Sequence, residues 1–156
     1  MATKRNPLGP TGETVRANVA RLRDELRLTY PELSRRLEDL GRPIPVLGLS
    51  RIEKGERRVD ADDLVALALA LGVSPITLLM PATEGEDDPV EATGTKMGAF
   101  SFWEYLGAND IPGTDEEKYL FVSRSRPKWA TDISITANFK VRRIASFTLK
   151  APNGDD

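Results

Sequence analysis

The segment Leu49-Ser50-Arg51-Ile52-Glu53-Lys54-Gly55 constrains this chain more than any other. Written as a helix, it puts Leu49 and Ile52 on one face, three residues apart and pointing inward. Ser50, Arg51 and Lys54 then point outward. Gly55 ends the helix, because a left-handed cap position suits glycine. A second apolar pattern, Leu64 to Leu71, follows closely. A helix that is apolar behind and small, polar and basic in front has the make-up that the major groove of DNA requires.

Several chemistries are excluded at once. The 156-residue chain has no cysteine and no histidine. Disulfides, thiolate nucleophiles, iron–sulfur clusters and cysteine zinc sites drop out, as do the usual general base and the commonest metal ligand. Carboxylate-only or Ser–Lys chemistry stays open in principle, but nothing in the sequence arranges it. Asp60, Asp62 and Asp63 read better as a helix cap than as a magnesium site. We therefore expect no enzyme, no cofactor and no metal. No apolar run approaches the roughly 18–20 residues of a membrane span. The first ten residues lack the apolar core of a secretory signal, so the expected location is the cytoplasm, on the nucleoid when DNA is bound.

The net charge of −2 looks wrong for a nucleic-acid binder, but its distribution matters more than its sum. Arg42, Arg51, Lys54, Arg57 and Arg58 stand against Glu53 and Glu56 over 42–58, a local +3. Glu84, Glu86, Asp87, Asp88 and Glu91 have no basic neighbour over 84–91, a local −5. The acidic total hides a basic surface.

Periodicity places five helices before residue 82. After a flexible arm over 1–10, the first runs from Thr11 or Gly12 to Arg27, with Val15, Val19, Leu22 and Leu26 on one face. The second opens at Thr29, where Thr29-Tyr30-Pro31-Glu32 is a capping box, and carries Leu33, Leu37 and Leu40. Gly41-Arg42-Pro43 stops it, since proline excludes helix from the residue before it. The third covers Val46 to Lys54. Asp60 caps the fourth, which buries Leu64, Leu67, Ala68 and Leu71 and ends at Gly72. Ser74-Pro75 starts a short fifth helix carrying Leu78 and Leu79. Residues 82–98 read as an acidic linker. The dense aromatics Phe100, Phe102, Trp103 and Tyr105 predict a short helix ending at Gly107, whose role is core or interface. Residues 115–123 are ambiguous between helix and strand, 134–149 alternate as half-buried strand, and 151–156 form a tail.

Residues up to about 80 resemble the helix-turn-helix family of phage Cro and CI repressors, the xenobiotic-response-element (XRE) family. The resemblance rests on an ordered set: Leu22-Arg23, Leu33-Ser34, the segment from Leu49 to Gly55, then Leu64, Leu67-Ala68, Leu71-Gly72-Val73 and Leu78. It implies a five-helix lambda-repressor-like domain over 11–81; with the small α+β C-terminal region that the aromatic cluster and the alternation indicate over 99–150, the expected chain is mainly α. It implies that the third helix enters the major groove while the second rests on the backbone. Val46, Leu47 and Arg51 match base-facing positions. Lys54 and Arg58 match positions near phosphates, as Thr29 and Tyr30 do at the start of the second helix. Arg23 and Glu53 match an ion pair that orients the arginine. Ser50 sits between the DNA face and a local backbone bond, and Arg57 joins Lys54 and Arg58 in a phosphate patch.

Two departures stand out. The family usually has polar residues where this chain has Val46, Leu47 and Gly48. Such side chains make no bidentate bonds to base edges but can touch thymine methyls. The second helix and its turn are also longer than the family norm, with Arg42-Pro43-Ile44-Pro45 replacing a tight connection. Arg42 becomes an extra phosphate candidate.

The resulting expectation is a sequence-specific transcriptional regulator, a repressor, acting on double-stranded DNA as a homodimer through residues 99–150. The alternative is an antitoxin or adaptor that uses the helical domain to bind a protein. An unidentified protein partner or effector fits either reading.

Overall fold

The computed structural model describes residues 7–131. They divide into two compact units, one ending at Ile111 and the other beginning at Pro112.

The first unit opens with five helices: α1 (Pro10–Glu25), α2 (Tyr30–Asp39), α3 (Val46–Glu53), α4 (Ala61–Leu71) and α5 (Pro75–Leu79). α1 begins at Pro10, slightly earlier than periodicity indicates, with proline in its first turn where no amide partner is lost. Residues 7–9, expected in a flexible arm, are held. The Pro7 carbonyl accepts from Arg58 Nη2 at 2.6 Å, and Leu8 lies so close over Gly12 that a Cβ there would approach it to 3.1 Å. Residues 1–6 lie outside the described residues. α1 also stops early, because Arg27 turns left-handed at φ 53° and directs the Leu28 amide back to the Arg23 carbonyl.

The expected caps are present. Thr29 Oγ1 accepts from the Glu32 amide while the Glu32 carboxylate accepts from the Thr29 amide. That carboxylate is held below its ordinary range by the Thr29 hydroxyl, then by its amide. Asp60 accepts from the Asp63 amide at 2.8 Å to start α4. Gly72 closes α4 in the left-handed region. Val15, Val19, Leu22, Leu33, Leu37, Leu49, Ile52, Leu67, Leu71 and Leu78 form one core, so all five helices contribute to it. Leu26 and Leu40, expected in the core stripes of α1 and α2, are instead about half exposed, because each falls just past the end of its helix.

Residues 89–98 correct the expectation of a linker over 82–98. They form an antiparallel hairpin, β1 (Pro89–Ala92) with β2 (Thr95–Gly98), in the register Val90 opposite Met97. The acidic run is ordered by one of its own members. Asp88 Oδ2 accepts from the amides of Glu84 and Gly85 at 2.8 and 2.9 Å, and these bonds hold the Asp88 carboxyl below its usual range. Val90 and Ala92 alternate inward against Ala99 and Phe102 of α6 (Ala99–Leu106), making a second small core. The Thr93 amide donates to Thr11 Oγ1 at 2.9 Å, which fastens the hairpin tip to α1. A small α+β element thus spans 89–106, with strands that precede the aromatic helix and lie outside the expected 99–150 region. Of the four clustered aromatics, Phe102 is the one buried.

In the second unit, Asp115–Ser125 is a helix, α7, with its own capping box between Thr114 and Glu117. The short α8 (Lys128–Thr131) follows. The strands expected over 134–149 and the tail over 151–156 lie outside the described residues. Among the described residues, no helix is long and apolar enough to cross a membrane.

Candidate nucleic-acid interface

α3 is an eight-residue helix whose inner face is fully buried through Leu49 and Ile52. Its outer face reads Leu47, Ser50, Arg51 and Lys54, at the three- and four-residue spacings of one helical side. Leu47 is 61% exposed and Val46, at the edge of that face, 42%. Ser50 is half-buried, while Arg51 and Lys54 are exposed.

Three devices fix α3 in place. The first is the pair at its C-terminal end. Glu53 takes two bonds from Arg23, Nε to Oε1 at 2.7 Å and Nη2 to Oε2 at 3.1 Å. Tyr30 Oη donates to the same carboxylate at 2.8 Å, and the guanidinium carbon stands 4.6 Å from the Tyr30 ring centroid. Arg23 Nη1 donates to the Leu28 carbonyl at 3.0 Å. The hydrogen bond to Glu53 raises the Arg23 pKa above its ordinary value against the opposing effect of burial. Burial, then the bond to Glu53, raises that of Tyr30. Arg16 Nη1 adds a bond to the Glu53 carbonyl at 3.2 Å, satisfying an open acceptor at the helix end.

The second device is the long α2–α3 connection. Ile44 is buried and its carbonyl accepts from Ser34 Oγ at 2.8 Å. The extra residues thus form an anchored turn.

The third is Asp63, which is 1% exposed. Its Oδ1 accepts from Arg42 Nε at 2.9 Å and its Oδ2 from Arg57 Nη2 at 2.8 Å. Arg42 Nη2 also reaches Asp60 Oδ2 at 2.9 Å. One buried carboxylate therefore ties the loop before α3 to the loop after it. The bond to Asp63 is the leading cause of the raised Arg42 pKa, and the Asp63 amide is the leading cause of the lowered Asp60 pKa. Gly48 belongs to this arrangement: a Cβ there would stand 2.7 Å from Arg57 Nη1 and 3.1 Å from Ile44 Cγ2.

The structure thus sorts the expected site residues. Val46, Leu47, Ser50, Arg51 and Lys54 come together at α3. Arg23, Tyr30 and Glu53 form one internal network, and the Tyr30 hydroxyl proton is committed to Glu53. The exposed Thr29 hydroxyl donates to Glu32 Oε2 at 2.6 Å. Arg42 and Arg57, expected at phosphates, are bound to carboxylates, because a buried Asp63 requires compensation. Arg58 is exposed and bonded to Pro7. Asp63 was legible only as a first-turn acid. One signal marked it out: it lies four residues before Leu67 on the apolar face, where a charge needs a partner. Asn18 escaped notice too. Buried on α1, it donates to the carbonyls of Thr77, Leu78 and Met80 and so fastens the end of α5.

An exposed basic face on a short helix, held through an arginine–glutamate pair to α1 and backed by α2, is the arrangement that the sequence resemblance implies. The helix-turn-helix family model matches residues 19–78. Residues 19–78 are an XRE-type helix-turn-helix domain. The domain is a DNA-binding module of regulators. Its match begins inside α1 and ends in α5, so the hairpin and everything after it lie outside the matched region. No curated protein and no solved structure matches the chain.

Proposed function

We propose that the protein is a sequence-specific transcriptional repressor that lays α3 in the major groove and binds a two-fold site as a homodimer. The observation that carries this reading is the state of Arg51. It is exposed on the outer face of α3 and its side chain has no hydrogen bond or ion pair among the described residues, while Leu49 and Ile52 anchor the helix beneath it. A free guanidinium at that place suits the O6 and N7 acceptors of guanine. Lys54, also unpaired among the described residues, lies one turn further and suits a phosphate. Repression needs only that a bound dimer obstruct a promoter. Dimerisation is assigned to residues 99–150, whose described part carries exposed Phe100, Trp103 and Tyr119. The proposal includes no catalysis.

The test is selection from random DNA by the purified full chain at near-physiological salt. The expected result is a palindromic motif whose spacing gives the half-site geometry. Folded protein that enriches nothing would favour the antitoxin or adaptor reading, which the exposed Val46 and Leu47 support. Salt separates the two readings, because phosphate contacts weaken steeply between about 50 and 200 mM and apolar protein contacts do not.

A further inference from the structure

We infer that α3 reads thymine through its 5-methyl group, with Leu47 as the contacting side chain and Val46 flanking it. The inference rests on the DNA-binding reading above and names what the start of the helix recognises.

The first turn of α3 holds Val46, Leu47 and Gly48. Gly48 cannot act as a reader, because its missing Cβ is what admits Arg57 Nη1 and Ile44 Cγ2. Pro45, at the N-cap, offers no side-chain hydrogen bond. That leaves two side chains, both without a donor or acceptor. Leu47 is 61% exposed although Leu49, two residues on, is fully buried. A leucine and a valine have one partner in the major groove that the other bases do not offer, the thymine methyl.

The neighbouring charge argues for DNA as the occupant of this face. Leu47 shares it with Ser50, Arg51 and Lys54, at three, four and seven residues. No acidic side chain lies among them, since Glu53 is turned to Arg23 and Tyr30. An apolar tip beside two unpaired cations matches a polyanion whose groove carries methyl groups. An ordinary protein surface would set acidic residues against them as well. The helix then divides its work, with Leu47 selecting thymine and Arg51 the neighbouring guanine.

The experiment starts from the selected half-site and the full-length protein. Each thymine is replaced in turn by deoxyuridine, which pairs identically and lacks only the methyl group. At one or two positions per half-site, affinity should fall about fourfold per methyl removed. In Leu47→Ala, an exposed substitution that leaves the core intact, the thymine–uracil difference at the main position should vanish. Uracil binding as tightly as thymine everywhere, a half-site without thymine, or a difference at the main position that persists in Leu47→Ala would overturn the inference alone. Failure to select any site would overturn it together with the reading on which it rests.

Discussion

Arg51 and Lys54 sit three residues apart on the same exposed face of α3, and their chemistry separates them. Arginine offers a planar fork of donors that can match guanine, whereas a lysine is a point charge on a flexible stem. Arg51→Ala should therefore lower affinity for the selected site by about 1–3 kcal/mol while changing random-sequence binding much less. Equal losses on both DNAs, in a titration at fixed salt, would remove Arg51 from base reading. Lys54→Ala should weaken both DNAs alike and flatten the slope of log K against log salt by about one unit. An unchanged slope would take Lys54 off the phosphate. Arg42 and Arg57 show why residue type alone is a poor guide here. Both are basic and close to α3 in sequence, yet each donates to the buried Asp63. Those bonds tie both side chains to the frame that carries α3.

At the scale of elements, α3 is placed by what holds its two ends. Glu53 binds its C-terminal end to α1 and α2 through Arg23 and Tyr30. Asp63 binds both flanking loops to the start of α4. Asp63→Asn keeps the size of the side chain and removes the charge that both arginines need. It should destabilise the domain by about 2–3 kcal/mol, less than the ~3–5 of a fully buried pair, because both arginines reach solvent. Urea unfolding would measure this, and a loss below about 0.5 kcal/mol would mean that the three groups act independently of the fold. The hairpin shows the limit of composition as a guide to elements. Five acidic residues over 84–91 read as a solvated linker. One of them, Asp88, instead gathers two amides into a turn, and the alternation of Val90 and Ala92 then suffices for a short strand. With so few apolar residues, that alternation becomes visible only once Ala99 and Phe102 are known to face it.

For the whole molecule, the division falls at Ile111–Pro112, after the hairpin and α6. The first unit holds both cores. A chain ending at Ile111 keeps the exposed Phe100 and Trp103 but loses Tyr119 and the rest of 112–150; it should fold with cooperative unfolding and be monomeric, because that loss removes most of the segment to which dimerisation is assigned. It should bind one half-site with the sequence preference of the full chain and lose the extra affinity for a two-fold site. Light scattering of the truncated protein decides the point. A dimer would place the interface in the first unit, where Phe100 and Trp103 of α6 stand exposed, as do Val65 and Leu69 one turn apart on α4.

The sequence by itself determined the helices of the DNA-binding domain, their caps and their buried faces, because those depend on local spacing: the capping box at Thr29, the left-handed Gly55 and Gly72, and the leucines at three- and four-residue intervals. It also determined which residues stand on the outer face of α3, and the Arg23–Glu53 pair was legible through the family resemblance. Only the tertiary structure decided which cations remain free. Arg42, Arg51 and Arg57 are the same residue in sequence, and their difference comes from Asp63, contributed 21 positions after the first and six after the last. Packing also decided that Gly48 makes room for a guanidinium and that residues 89–98 pair as strands. Both follow from groups meeting across the chain, where no local pattern records the encounter.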